Sequence, residues 1–217
     1  MRKFIGMTGI VVVLLIAAGG PASGAEICDG VGTTFLDDVI VPAGATCDFG
    51  FGGDIVFGDV TLEPGATLVK DSGPLAILGD VRGTDIESLQ IGGCDVMGGI
   101  DIDGAAGNVS IAACSVNASV NIQGVAGVLR ISGCEIGHRL RVIRNVGDPG
   151  TDMNIASNTV DGDIVINDNE HTLTANIDSN KLSGRLTCRN NVPPPSSKGS
   201  DGTIALRGQE GQCADLP

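Results

Sequence analysis

Tryptophan and tyrosine are missing from this 217-residue chain, and phenylalanine occurs five times. Without indole or phenol rings, the aromatic platforms on which sugar rings and nucleobases usually stack are absent. Positive charge is scarce as well: 13 Lys and Arg stand against 26 Asp and Glu, a formal charge of -13. That balance repels nucleic acid and anionic membrane surfaces, so neither is an expected partner. Histidine is confined to His138 and His171, and neither has a Ser or Cys partner at a spacing diagnostic of nucleophilic catalysis. The seven cysteines include no Cys-x-x-Cys, so neither a metal nor a cofactor is expected. Long apolar runs are lacking too. The one run, Val11 to Ala18, falls short of the roughly 20 residues that cross a bilayer.

What surrounds that run is informative. Arg2 and Lys3 precede it, Gly19-Gly20-Pro21 breaks it, and the small residues Ser23 and Ala25 stand just before Glu26. Residues 1-25 therefore read as a secretory signal, and residues 26-217 as one domain. Removing Arg2 and Lys3 with the signal leaves a formal charge of -15. The expected location is secreted, extracellular or in the cell envelope, with no membrane contact after cleavage.

Glycine, at 34 residues, is the abundant type, and it punctuates a repeat. Gly58-Asp59-Val60-Thr61-Leu62 recurs as Gly79-Asp80-Val81, Gly98-Gly99-Ile100-Asp101-Ile102, Ala118-Ser119-Val120-Asn121-Ile122 and His138-Arg139-Leu140-Arg141-Val142. It continues as Gly162-Asp163-Ile164-Val165-Ile166 and Gly184-Arg185-Leu186-Thr187-Cys188. Apolar residues alternate within each unit and β-branched types dominate, which is strand patterning; no stretch sustains the i, i+3, i+4 stripe of a helix. Short strands repeating every 20 to 24 residues predict an all-β fold, a single-domain parallel β-helix of about eight to nine coils. Right-handed winding is expected, as for nearly all parallel crossovers. Residues 26-57 would form the N-terminal cap and first coil, and residues 192-217 a loop followed by a capping coil. Phe35, Phe49, Phe51 and Phe57 are expected in the core or cap of the N-terminal end, and Gly147-Asp148-Pro149-Gly150 as a loop bulging from one coil.

In such a stack, residues one repeat apart become vertical neighbours. Cys94, Cys114, Cys134, Asn158 and Asn180 fall in one column, where small polar side chains can hydrogen-bond along the stack. Parallel Cβ vectors one coil apart, ~4.8 Å, lie slightly outside disulfide range, so Cys94, Cys114 and Cys134 are expected as buried free thiols. A zinc site there would have to build a tetrahedron from a straight column. Cys28 with Cys47, and Cys188 with Cys213, are each about one coil apart at the two ends and are the candidate disulfides. Closing loops of that size is worth about 3 kcal/mol in the chain-entropy model.

Val41-Pro42-Ala43-Gly44-Ala45-Thr46-Cys47 and Leu62-Glu63-Pro64-Gly65-Ala66-Thr67-Leu68, the recurrent Gly-Asp-Val, Leu182 to Asn191, and Gly208 to Cys213 together resemble a group of secreted bacterial right-handed β-helix proteins without assigned activity. The resemblance covers nearly the whole mature chain; it implies fold and export and brings no catalytic residue.

Two functions compete. A rigid rod with a long polar face fits an exported, non-catalytic role in binding, adhesion or surface structure. Its partner would be a cell-envelope or extracellular polysaccharide or protein, and its state a monomer or a weak end-to-end associate. The alternative is a polysaccharide lyase or glycosidase using outward Asp80, Asp101 and Asp103, with Arg141 as the basic group. Outward slots of an acidic rod must be polar in any case, and Asp beside a turn glycine is ordinary turn chemistry.

Overall fold

The computed structural model describes residues 25–31, 34–50, 52–70, 73–147, 150–170, 174–197 and 202–216. Residues 1–24 of the signal segment, Phe51, Asp148, Pro149 and His171 lie outside the described residues.

Alternation of apolar and polar residues does what the sequence implies. The described residues form 27 short strands and no helix, in parallel sheets of 10, 8 and 9 strands. Each strand pairs with its counterparts one coil away, so the three sheets stack into a β-solenoid. In the first sheet Val39, Val60, Val81, Ile100, Val120, Leu140, Ile164, Leu186 and Gln209 are successive register partners, which delimits eight coils. One coil, from Val81 to Ile100, takes only 19 residues, one below the expected range. Apart from Gln209, those partners point inward and are fully buried, forming one side of a single continuous core.

The corners are as regular as the strands. Gly93, Ala113, Gly133, Ser157 and Ser179 all have φ between 51 and 65°. Each turns the chain and aims the next residue, Cys94, Cys114, Cys134, Asn158 or Asn180, into the core, where it is buried. Asn158 Oδ1 accepts the Cys134 N–H at 3.0 Å, and Asn180 Oδ1 accepts from Asn158 N–H at 3.1 Å and Nδ2 at 2.9 Å. A second ladder, Asn145, Asn169, Asn191 and Gln212, runs down another corner in the same way. Arg144, Asp168 and Asn190 supply its left-handed turns, at φ 52 to 56°.

The cysteines require one correction. Cys28 bonds Cys47 and Cys188 bonds Cys213, but Cys94 and Cys114 are also joined, leaving only Cys134 free. The Cα atoms of Cys94 and Cys114 are 4.5 Å apart, inside disulfide range. Both residues follow a left-handed corner residue, which releases the pair from the strict side-by-side alignment of a flat strand. Three disulfides place the folded chain in an oxidising environment. Among the described residues no helix is long and apolar enough to cross a membrane.

Candidate functional site: a polar groove along the first sheet

Inward apolar residues force their neighbours outward, and on the first sheet this builds a row of hydrogen-bonding side chains. Arg82, Asp101, Asn121 and Arg141 are register partners on consecutive coils. Beside them runs a corner row, Asp38, Asp59, Asp80, Gly99, Ser119, Arg139 and Asp163, each one residue before its strand. Three depressions follow these rows. A trough of about 670 Å³ lies between Ser119, His138, Arg139, Asp161, Asp163, Ser183 and Arg207. A hollow of about 230 Å³ is bounded by Asp80, Arg82, Asp101, Ser119 and Asn121. Another of about 220 Å³ lies among Asp101, Asn121, Gln123 and Arg141. Asn121 lines all three, and Asp101 and Ser119 two each, so they form one groove running along the stack.

Glycine makes the floor of the trough. A Cβ on Gly162 would stand 2.2 Å from the His138 carbonyl oxygen, and one on Gly184 would stand 2.4 Å from the Gly162 carbonyl. Coils approach so closely at this corner that side chains are excluded, and the polar walls rise on either side.

The four candidate catalytic residues separate here. Asp80, Asp101 and Arg141 line the groove, whereas Asp103, between Thr84 and Gln123 in register, lines none of the three depressions. Asp80 is committed to structure: Oδ1 accepts the Gly99 N–H at 2.5 Å and Oδ2 is bound by Arg82. Asp38 and Asp59 do the same, each Oδ1 accepting an N–H of the next coil at 2.8 Å. Carboxylates in this row therefore staple coils at the corner. Asp101 and Arg141 share the smaller hollow.

Ser119, His138, Arg139, Asp161, Asp163, Ser183 and Arg207 belong to the trough, although none of them was among the candidate site residues read from the sequence. Their signal was the repeat itself, since Ala118-Ser119, His138-Arg139 and Gly162-Asp163 occupy one slot on successive coils. Arg139 approaches Asp163 at 3.7 Å, a distance that holds the wall loosely. Beside the trough, Val160, Leu182, Ile204 and Leu206 bound an apolar hollow of about 410 Å³ that shares Asp161 and Ser183 with it.

The chain matches no family model, no curated protein and no solved structure. Among the described residues no three His, Cys, Asp or Glu side chains are grouped so as to hold a metal ion.

Proposed function

We propose that this is an exported, non-catalytic β-solenoid of a bacterial envelope or its surroundings, binding an extended polysaccharide along the groove of the first sheet. The observation that carries the reading is the continuity of the three depressions through Asp101, Ser119 and Asn121. A groove that repeats its hydrogen-bonding groups at every coil fits a ligand that repeats as well. With no tryptophan or tyrosine to stack on sugar rings, affinity comes from many weak polar contacts made at once. Export rests on the signal-like residues 1-25 and agrees with the disulfides.

Affinity electrophoresis through gels containing individual envelope polysaccharides tests the reading. At least one polymer should retard the protein without release of reducing ends, and Asn121→Ala combined with Arg141→Ala should weaken retardation about tenfold. Polymer cleavage that disappears in Asp101→Ala would replace this reading with the enzymatic one.

A further inference from the structure

We propose that the disulfide of the central cysteine column is mobile, alternating between Cys94–Cys114 and Cys114–Cys134. Register places Cys114 midway: Asp95 pairs with Ser115 and Ser115 with Glu135, so the preceding cysteines are one coil apart on either side. The sulfurs of Cys114 and Cys134 also occupy equivalent seats. Cys114 Sγ lies 3.4 Å from the Ala112 carbonyl oxygen, and Cys134 Sγ lies 3.4 Å from that of Ser132. Ala112 and Ser132 are themselves register partners, so the two seats are related by one coil step, ~4.8 Å. A disulfide already spans the equivalent step from Cys94 to Cys114.

The exchange consumes nothing. The Cys134 thiolate attacks Cys114 Sγ, the bond to Cys94 breaks, and Cys94 leaves as a thiolate that takes up the proton Cys134 released. Along the column Cys134 and Cys94 lie on opposite sides of Cys114, one coil each way, so attacker and leaving group flank the central sulfur. Both isomers contain one disulfide and one buried thiol, so no oxidant or reductant enters. Burial raises the Cys134 thiol above its ordinary value, which makes the exchange slow at neutral pH. The bond's position decides which coils are tied behind the groove. In one isomer the coil of Arg82 is joined to that of Asp101; in the other the coil of Asp101 is joined to that of Asn121.

The test uses the full mature chain, held at mildly alkaline pH and then unfolded in acid with N-ethylmaleimide to trap free thiols. Reduction and a second alkylating label then mark the former disulfides, and fragment masses locate both labels. Maleimide should be divided between Cys94 and Cys134 and absent from Cys114. Cys94→Ser should show a Cys114–Cys134 bond, and Cys134→Ser should keep Cys94–Cys114. Maleimide on Cys134 alone in the unaltered protein overturns the proposal, and that measurement holds even if a variant fails to fold. Free thiols at both Cys114 and Cys134 in Cys94→Ser overturn it too.

Discussion

Lys70 stands where the repeat calls for an apolar side chain: it pairs in register with Ile91, and Ile111 follows one coil later. Its side chain is 0% exposed, and Nζ reaches Asp54 Oδ2 at 2.6 Å, a partner itself only 3% exposed. The carbonyls of Phe49, Gly50 and Gly52 accept from the same ammonium, at 3.3, 3.1 and 2.7 Å. One charged group thus holds a glycine-rich corner and fills the core beneath it. Lys70→Ala or Asp54→Ala should each cost about 3–5 kcal/mol in urea denaturation, because the remaining partner is left buried and uncompensated. Lys70→Met with Asp54→Leu should recover much of that loss. At Cys134, burial is the main cause of the raised thiol pKa, and backbone hydrogen bonds at Cys114, Ser132 and Ala113 partly offset it. The folded thiol keeps its proton where the unfolded one loses it, so its contribution to stability is complete below the ordinary value of 9.0 and declines as pH rises beyond it. Urea midpoints should fall above that pH in the native protein and fall less in Cys134→Ala.

At the scale of the element, the ladders carry what the strands do not. Asn169 accepts from Asn145 N–H and Nδ2, donates to the Val142 carbonyl and to Asn191 Oδ1, and is fully enclosed. Asn169→Ala leaves several buried groups without partners and should cost about 3 kcal/mol, read from the denaturation midpoint. Gly184→Ala should be destabilising by about 1–3 kcal/mol, since the added carbon would overlap the coil before it. The strands were legible in the sequence because alternation at period two is a direct trace of one buried face, as in Val120-Asn121-Ile122. Half of the ladder system was legible as well, through the spacing of Asn158 and Asn180. The other half was not: its column begins at Asn145, the coil before it holding Val125 in that slot, so no evenly spaced polar or cysteine series leads into it. Lys70 was unreadable for a different reason. A core lysine becomes intelligible only once Asp54, 16 residues earlier, is brought over it.

Across the whole molecule, the rod is closed by different means at its two ends. Phe35 and Phe49 meet edge to face at 5.9 Å near the Cys28–Cys47 bond, while the other end is covered by the chain returning through Ile204–Ala205 to Cys213. Cys213→Ser should expose residues near Pro193 to limited proteolysis while leaving the β-sheet circular dichroism of the remaining coils intact. Equal cutting of both proteins would remove the staple from this account. The groove was only partly foreseeable at this scale, because Ser119 and Arg207 come together in the trough through stacking and not through any local motif. The ladders also have a direction: each asparagine N–H is satisfied by the side chain of the coil that follows, ending at Thr203 and Gln212. A chain emerging amino end first can therefore complete the coils tied by Cys28–Cys47 and Cys94–Cys114 early, whereas every asparagine coil waits for its successor. Synthesis halted inside the carboxyl half would leave a dangling donor at the growing tip, which gives this rod a built-in requirement to be finished.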